Sequence, residues 1–314
     1  MALMQVACAA DSKFIPHCAA MLRSLLSTQN VDRLKVYFLH DVTVSKASIN
    51  ALQEMVCSEG AGWESLLVSE EQRARCPGSA RFGKVAWYRV LLPELLQNAE
   101  RVLYLDADTI IRRDLSPLWD TDLRDYPVGA VANPLYPFMS RAFLDELQIS
   151  SDNYFNSGVL LFDLEMWRRE NLSDEVLTRA ANQTGQEWPD QNALNVVLRR
   201  RWKTLSPEWN AQNTIFDLPD ENLPFPREEV ELARRDPAII HFIGPYKPWH
   251  YRCKHAWRDL YWFHLEGTPW NQPKMTGVTF SNRLLRLLPE QWGWHVDTLI
   301  RNFRRKNDPA TKGR

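Results

Sequence analysis

Two aspartates, Asp106 and Asp108, follow an almost continuous apolar run at residues 101–105. Such a run predicts a buried central strand, since both faces of that kind of strand must be apolar. Aspartates two positions apart on an extended chain point the same way, here at the carboxyl end of a strand, where open α/β sheets bind ligands. They form a hard-oxygen pair suited to Mg²⁺ or Mn²⁺, with room for substrate phosphates. The motif alone is equally compatible with a strand followed by an aspartate-rich turn.

A second group of residues that could take part in chemistry lies over 130 positions downstream, where another apolar stretch ends at His241. Gly244 follows it and permits a close approach of the backbone, and Lys247 supplies a point charge suited to phosphate. Imidazole can complete the shell of a borderline metal such as Mn²⁺. A histidine at a strand end is often structural, but its coincidence with the glycine and the lysine favours a functional site.

Four further polar residues each have two interpretations that the sequence leaves open. Asp11 follows the first predicted strand, where it either contacts a nucleotide or caps the next turn. Arg89 lies among apolar residues and needs an anionic partner, either a phosphate or a structural carboxylate such as Asp106. Asn156 precedes a Ser-Gly pair, which is either turn chemistry or a place where a ligand approaches the backbone. Asp190 either caps a helix or takes part in a site.

The rest of the chain predicts the elements that must position these side chains. Apolar strands alternate with helical segments over residues 6–68, and this βαβαβ pattern predicts a mostly parallel sheet with right-handed crossovers. Residues 84–96 predict a helix packed under the strand that carries the aspartates. No Gly-x-Gly-x-x-Gly or Walker-type loop is present, so a classical dinucleotide or P-loop site is not supported. The predicted fold class is α/β, with a mixed, mostly parallel sheet flanked by helices.

Composition places the chain among ordinary globular proteins, with 314 residues, 45% hydrophobic and 25% charged. The formal net charge of −1 gives no nucleic-acid signature, although residues 281–314 carry +5 and the preceding chain carries −6. The N-terminal apolar run is too short for a secretory signal or a membrane span. The five cysteines show no paired spacing. We therefore expect a cytosolic protein with reduced thiols and no nucleic-acid partner.

Seven stretches, in order over about residues 4–258, together resemble glycosyltransferase family 8, the retaining GT-A transferases, and within it bacterial lipopolysaccharide galactosyl- and glucosyltransferases. They are Ala9-Ala10-Asp11, Tyr88-Arg89, residues 102–108 (VLYLDAD), 118–123 (LWDTDL), 155–161 (FNSGVLL), Asp190-Gln191 and 241–250 (HFIGPYKPWH). Each stretch is weak alone, but the ordered set is highly specific. The resemblance implies a Rossmann-like GT-A domain over residues 1–265.

The resemblance also implies roles for the matching positions. The metal ligands, usually of Mn²⁺ or else of Mg²⁺, are Asp106, Asp108 and His241. The nucleotide-binding residues are Ala9, Asp11 and Lys13 near the base, with Asp106, Ala107, Gly244 and Lys247 toward the diphosphate. The donor-sugar residues are Arg89, Asn156, Ser157, Asp190 and Gln191, of which the last two flank the anomeric carbon as the catalytic pair. The acceptor residues are Asn133 and Pro245; Asn133 stands where related galactosyltransferases carry an acid, and Lys13 replaces an asparagine.

The expected activity is metal-dependent transfer of galactose or glucose from a UDP-sugar to a saccharide, such as lipopolysaccharide or another cell-surface glycan, with retention of configuration. Gln191 is a poor nucleophile because it is an amide, which favours same-face transfer over a double displacement. One alternative is a self-glucosylating, glycogenin-like primer or another UDP-sugar-binding protein, although no tyrosine follows Gly277 to accept sugar. Another is a sugar-nucleotide hydrolase or pyrophosphorylase, whose glycine-rich basic loop is missing after the first strand.

Residues 266–314 form a predicted basic, aromatic-rich, amphipathic helical tail. Such a stretch suits an anionic inner-leaflet surface. The family's bacterial members dock on that surface to reach lipid-linked acceptors, so the resemblance implies a cytoplasmic protein that is peripheral on the inner membrane face. The alternative is a terminal helix packed on its own domain with a solvated basic end.

Overall fold

The computed structural model describes residues 3–78, 83–135, 144–145, 147–181, 189–272 and 274–288. Its strands are β1 Met4–Ala9, β2 Leu34–His40, β3 Gly62–Leu67, β4 Arg101–Leu105, β5 Thr109–Ile111, β6 Val128–Ala132, β7 Phe155–Asp163, β8 Trp202–Thr204, β9 Ala211–Gln212 and β10 Ile239–His241. The α-helices are Ile15–Leu26, Lys46–Ser58, Glu70–Arg75, Leu92–Leu95, Ser116–Trp119, Leu164–Arg169, Leu172–Ala181, Pro189–Val197, Asn213–Asp217, Arg227–Arg235, Arg258–Glu266 and Phe280–Leu285. Short 3-10 helices span Val31–Arg33, Val85–Leu91, Ser151–Asn153, Pro207–Asn210 and Asp220–Asn222.

Seven strands form the main sheet, in the order β3-β2-β1-β4-β7-β6-β8. Every neighbouring pair is parallel except those made by β7, which runs antiparallel to both β4 and β6. The α/β class and the mixed, mostly parallel sheet predicted from the sequence are therefore confirmed. Because β1, β2 and β4 are parallel neighbours, the residues that follow them lie at one edge of the sheet.

Strand β4 is buried on both faces, as its unbroken apolar run predicts. Leu103 and Leu105 pack into one apolar layer together with the helices Ile15–Leu26 and Lys46–Ser58. Val102 and Tyr104, which alternate with them, pack into the layer on the other face. A strand enclosed in this way holds the residues at its carboxyl end in fixed positions.

A second, three-stranded sheet in the order β5-β10-β9 supplies the histidine of the site. Strand β10 runs antiparallel to β5, with His241 opposite Thr109. Since Thr109 directly follows Asp108, this pairing places the histidine beside the aspartates. The contact joins segments over 130 residues apart, so no local sequence pattern specifies it.

The helix predicted over residues 84–96 is present, but most of it is a 3-10 helix. The chain forms a 3-10 helix over Val85–Leu91 and then a single α-helical turn, Leu92–Leu95. Pro93 has no N–H to donate to the carbonyl of Arg89, as an α-helix would require. The N–H of Leu92 donates to that carbonyl instead, which tightens the turn.

The predicted tail is described only as far as residue 288, and residues 289–314 lie outside the described residues. Helix Arg258–Glu266 runs across the boundary expected at residue 265, and helix Phe280–Leu285 follows after a short irregular stretch. Among the described residues, no helix combines the length and apolarity that crossing a membrane requires.

Candidate active site

Asp106, Asp108 and His241 converge at the edge of the main sheet. Nε2 of His241 lies 3.2 Å from Oδ1 of Asp108 and 3.9 Å from Oδ2 of Asp106. One potential ligand atom from each residue lies within 4.8 Å of the other two. This spacing lets all three side chains reach a single ion. Ala107, between the aspartates, is buried.

The surroundings of this cluster fit a divalent cation. Oδ1 of Asp108 is buried and has no hydrogen-bond partner within the described part of the chain, which is costly unless a ligand or cation satisfies it. Nδ1 of His241 lies 2.9 Å from Oδ1 of Asn210, so the nitrogen that faces the carboxylates is Nε2. Two carboxylates and one imidazole suit Mn²⁺, with Mg²⁺ as the harder alternative.

Gly158, on β7, lines the cluster on the side of the main sheet. A Cβ atom at this position would lie 2.2 Å from Cε1 of His241 and 2.7 Å from Oδ2 of Asp106. Both distances are shorter than non-bonded atoms tolerate, so any side chain here would displace two of the three candidate ligands. The carbonyl of Gly158 also accepts a hydrogen bond from the N–H of Asp106 at 2.8 Å.

We expect Gly158→Ala to weaken Mn²⁺ binding by about 10- to 100-fold, the usual loss when the support of metal ligands is disturbed. Isothermal titration with Mn²⁺ measures this directly. Gly129→Ala is the matched control, because Gly129 lies on neighbouring β6 and its added Cβ would meet only the flexible side chains of Leu123, at 3.2 Å, and Leu205. Equal Mn²⁺ affinity in the two variants would contradict the assignment of the cluster.

Lys247 reaches back over the cluster from the segment after β10. Its Nζ lies 2.5 Å from Oδ2 of Asp108 and donates to the carbonyl of Phe242 at 2.6 Å. Gly244, with φ of 84°, lets the chain turn back, and Pro245 beside it is exposed. Burial by itself raises the pKa of Asp108, but the neighbouring Lys247 and His241 side chains, Lys247 most of all, together outweigh it and hold that pKa well below its usual range. Asp108 is therefore ionised at neutral pH and available as a ligand.

Arg89 is buried between two carboxylates. Its Nη2 lies 3.0 Å from Oδ1 of Asp106 and 3.7 Å from Oδ2 of Asp190. The guanidinium also donates to the carbonyls of Ala86 and Ser157. Burial alone lowers the pKa of Arg89, but the surrounding acidic groups, Asp106 most of all, together outweigh it, so the pKa lies above its ordinary value and the group stays charged. A structural carboxylate, one of the two alternatives that the sequence left open, is thus a partner of Arg89, and the arginine links Asp106 of the candidate metal site to Asp190.

A buried polar cluster next to Arg89 consists of Asn156, Ser157 and Gln191. Oε1 of Gln191 accepts from the N–H of Ser157 at 3.1 Å and from Nδ2 of Asn156 at 3.3 Å. Nε2 of Gln191 donates to the hydroxyl of Tyr154 at 2.9 Å. These contacts fix the orientation of the Gln191 amide, which presents its oxygen to β7.

Ala9, Asp11 and Lys13 lie at the same edge of the sheet, because β1 is parallel to β4 and adjacent to it. Oδ1 of Asp11 accepts from the N–H groups of Lys13 at 2.9 Å and Phe14 at 3.1 Å. Asp11 therefore stabilises the turn that leads into helix Ile15–Leu26, which was the structural alternative. Ala9 is buried and Lys13 is exposed.

The two positions expected to meet the acceptor lie in different surroundings. Asn133 directly follows β6 and is buried, and its N–H donates to the carbonyl of Tyr154 at 2.8 Å. Pro245 lies on the exposed turn between His241 and Lys247.

An aromatic stack joins the first helix to the segment that carries Lys247. The rings of His17 and Trp249 are parallel, with centroids 3.4 Å apart, and Nδ1 of His17 lies 2.7 Å from the hydroxyl of Tyr261. Phe14 meets Trp249 edge-on and keeps an exposed face. Burial lowers the pKa of His17 to about 4, so this ring is neutral. The stack holds the lysine segment against the amino end of the helix.

Three residues of the site are absent from the sequence-based predictions. Tyr104 donates to Oδ1 of Asp106 at 2.9 Å, and its position two residues earlier on the same strand was an available signal. Gly158 stood inside a recognised motif, but its role appears only once His241 is placed against it. Asn210 lies in an irregular stretch without periodicity, so the sequence offered no signal for it.

The seven-stranded mixed sheet flanked by helices is a GT-A fold. The crystal structure of the galactosyltransferase LgtC in complex with donor and acceptor sugar analogs matches with a TM-score of 0.71 at 24% identity, over 89% of this chain and 99% of that one. The structure of an active-site mutant of LgtC matches over the same shares of the two chains, with a TM-score of 0.73 at 23% identity.

The chain belongs to Glycosyl transferase family 8, whose family model matches residues 5–253. It is 30% identical to General stress protein A of Bacillus subtilis (strain 168) over 276 residues, which are 86% of this chain and 95% of that protein. It is also similar to Lipopolysaccharide 1,2-glucosyltransferase of Escherichia coli (strain K12), at 29% identity over 62% of this chain and 57% of that protein. The family predicted from the ordered motifs is confirmed, and the chain is a glycosyltransferase.

Proposed function

We propose that this glycosyltransferase moves a hexose, galactose or glucose, from a UDP-sugar to a saccharide acceptor with retention of configuration, and that it requires a divalent cation. The observation that carries the proposal is the convergence of Asp106, Asp108 and His241, with Lys247 beside them, at the carboxyl edge of the sheet. A lipopolysaccharide or another cell-surface or lipid-linked saccharide is the proposed acceptor. The names of the Escherichia coli and LgtC proteins, a lipopolysaccharide glucosyltransferase and a galactosyltransferase, support this choice.

The residues at this edge have different proposed roles, according to where they lie. A bound Mn²⁺ or Mg²⁺ would act as a Lewis acid that neutralises charge on the leaving diphosphate. The proposed nucleotide contacts are Ala9, Asp11, Lys13, Asp106, Ala107, Gly244 and Lys247. The proposed donor-sugar contacts are Arg89, Asn156, Ser157, Asp190 and Gln191, and the proposed acceptor contacts are Asn133 and Pro245.

In the proposed reaction, the bond between the anomeric carbon and the phosphate oxygen breaks while the acceptor oxygen bonds to that carbon from the same face. The departing phosphate oxygen takes the acceptor proton. Lys247 favours this step electrostatically, because negative charge develops on the UDP as it leaves. Gln191 does not serve as a nucleophile, since it is an amide whose oxygen already accepts two N–H groups. Asp190 and Arg89 hold the sugar and do not attack it.

UDP release in the presence of Mn²⁺ tests the proposal. UDP-galactose, UDP-glucose and UDP-N-acetylglucosamine are compared with and without truncated lipopolysaccharide core acceptors. We expect release from one hexose donor that depends on both acceptor and cation. Acceptor-independent release, together with a mass increase of the protein by one or more hexoses, would indicate self-modification. No release from any of the three donors, or release that EDTA leaves unchanged, would overturn the proposal.

We also propose that residues 266–314 attach the chain to the anionic inner face of a membrane and that residues 1–265 are the transferase domain, which makes the protein cytoplasmic and peripheral. Support comes from the part of the tail that the structure describes. Phe280 is 77% exposed, Leu284 54% and Leu287 81%. Arg283 and Arg286 are interleaved with them, so apolar and basic side chains share one short segment.

The full chain with Phe280→Asp, Leu284→Asp and Leu287→Asp together should lose sedimentation with vesicles that contain anionic phospholipid. Each change replaces apolar burial in the interface with a charge that the anionic surface repels. Leu67→Asp is the control, because Leu67 is also 54% exposed but lies on β3 at an edge of the main sheet. Unchanged sedimentation of the triple variant would exclude this segment as the attachment site.

A further inference from the structure

Asn210 lies at the end of the 3-10 helix Pro207–Asn210, immediately before β9, and has no exposed surface. Because β9 pairs with β10 in parallel, with Gln212 opposite His241, the asparagine side chain comes beside the histidine. Its Oδ1 lies 2.9 Å from Nδ1 of His241, and its Nδ2 donates to Oδ1 of Asn156 at 2.9 Å. The amide therefore bridges the candidate metal ligand and the donor-sugar side of the site.

Backbone groups fix which atom of Asn210 faces His241. Oδ1 of Asn156 accepts a hydrogen bond from the N–H of Gly158 at 3.0 Å, so this atom is the carbonyl oxygen of that amide. Nδ2 of Asn156 in turn donates to Oε1 of Gln191, which also accepts from the backbone N–H of Ser157. Because Oδ1 of Asn156 is an acceptor, the atom of Asn210 that bonds to it must be the donor Nδ2. Oδ1 of Asn210 must then face the imidazole of His241.

An amide oxygen can only accept, so Nδ1 of His241 carries the proton. With the proton on Nδ1, the nitrogen that can offer a lone pair to a cation is Nε2, the atom 3.2 Å from Asp108 and 3.9 Å from Asp106. The opposite orientation of the Asn210 amide would present N–H groups to Nδ1 and leave the proton on Nε2, where it would block coordination. A partner on the second ring nitrogen sets the tautomer and basicity of metal-binding histidines in general.

We propose that Asn210 is a positioning residue that holds His241 as the Nδ1–H tautomer, with its Nε2 lone pair directed at the cation, and that the backbone of β7 sets this polarity through Asn156. The inference rests on the proposed metal-dependent function. The side-chain amides of Gln191, Asn156 and Asn210 then form a hydrogen-bonded chain that orients His241. Within this chain, Asn210 is the residue that contacts the histidine.

The test measures Mn²⁺ binding without turnover, by the loss of the free Mn²⁺ signal in electron paramagnetic resonance. Asn210→Ala should raise the Kd for Mn²⁺ by about 10- to 100-fold. Asn210→Asp keeps an acceptor for the Nδ1 proton and should retain tighter binding than Asn210→Ala. The ¹⁵N shifts of the His241 ring, assigned with His241→Ala, should show the Nδ1–H tautomer in the wild type and a tautomer mixture in Asn210→Ala.

Asn195→Ala is the matched control, since Asn195 is as buried as Asn210 and bonds to the N–H and carbonyl of Phe155 on β7 and to the backbone carbonyl of Gln191, and none of these hydrogen bonds involves a side-chain amide of the hydrogen-bonded chain or His241. It should lower Tm and leave the Kd for Mn²⁺ unchanged. If His241→Ala weakens Mn²⁺ binding and Asn210→Ala does not, this inference is wrong while the proposed function survives. If His241→Ala itself leaves binding unchanged, the metal site of the proposed function is wrong. Binding by Asn210→Asp as weak as that of His241→Ala would also overturn the inference.

Discussion

Asp108→Asn is expected to lower kcat/KM for sugar transfer by about 10³-fold. Oδ1 of Asp108 is the buried acceptor without a hydrogen-bond partner among the described residues, and Oδ2 pairs with Lys247 at 2.5 Å. Asparagine keeps the shape but removes the charge that attracts the cation. A bound cation supplies several kcal/mol of transition-state stabilisation, and each 1.36 kcal/mol is tenfold in rate, so a loss of about 4 kcal/mol gives this factor. Steady-state kinetics with the donor concentration varied, repeated at several Mn²⁺ concentrations, measure it.

Two comparisons make the result specific to the cluster. Asp32→Asn removes the same charge from an exposed position near the start of β2 and should leave kcat/KM unchanged. The Kd for Mn²⁺ should rise in Asp108→Asn in parallel with the loss of rate, because one carboxylate serves both. A variant that binds Mn²⁺ normally and yet has lost activity would show that Asp108 acts on the substrate and not through the metal.

The sequence predicted the three residues of the candidate metal site because each one belongs to a local pattern. Asp106 and Asp108 end an apolar strand, and His241 ends another just before a glycine and a lysine. Their meeting is a long-range event that depends on the pairing of β5 with β10. Without the structure, only the resemblance of the ordered motifs to a family implied that Asp106, Asp108 and His241 form one site.

Other residues of the site could not be predicted from the sequence, for a physical reason. Asn210 and Gly158 act through His241, and a residue that acts through another is visible only when both are placed. The sequence left open whether the partner of Arg89 is a phosphate or a carboxylate, because a buried arginine requires a negatively charged partner but does not specify which one. The helix around Arg89 was predicted, but its 3-10 form was not; Pro93 removes the donor that an α-helix would need at that point, a local effect that the apolar spacing does not reveal.

Asp190→Asn is expected to reduce kcat/KM by at least about a hundredfold, the loss typical of a misplaced substrate, and to raise Tm at pH 7. Asp190 lies in the first turn of helix Pro189–Val197, but its carboxylate faces Arg89 and is buried. Burial raises the pKa of Asp190 above its ordinary value, with Arg89 opposing this effect and Asp106 adding to it. Whenever this carboxylate is ionised it is therefore held at a cost in stability, which proteins accept at sites that bind substrate.

The sign of the pH dependence follows from that raised pKa. A carboxyl whose pKa is higher in the folded than in the unfolded protein favours folding at low pH, and this contribution is lost as the pH rises through the folded-state pKa. The gain in Tm of Asp190→Asn over the wild type should therefore be present at pH 7 and shrink as the pH falls below the folded-state pKa. Calorimetry across this pH range measures it alongside kcat/KM at pH 7.

Arg89 provides the contrast that separates the two roles of Asp190. After Asp190→Asn the guanidinium still pairs with Asp106 at 3.0 Å, so the fold keeps a compensated charge. Arg89→Met removes the cation that contacts both the buried carboxylate of Asp190 and the partly buried carboxylate of Asp106, and should destabilise the protein by about 3–5 kcal/mol, the usual effect of breaking a buried pair. If Asp190→Asn lowers Tm at pH 7, its carboxylate is a structural partner of Arg89. If it retains full kcat/KM, the carboxylate does not contact the donor sugar, and the sugar end of the site must lie elsewhere along this sheet edge.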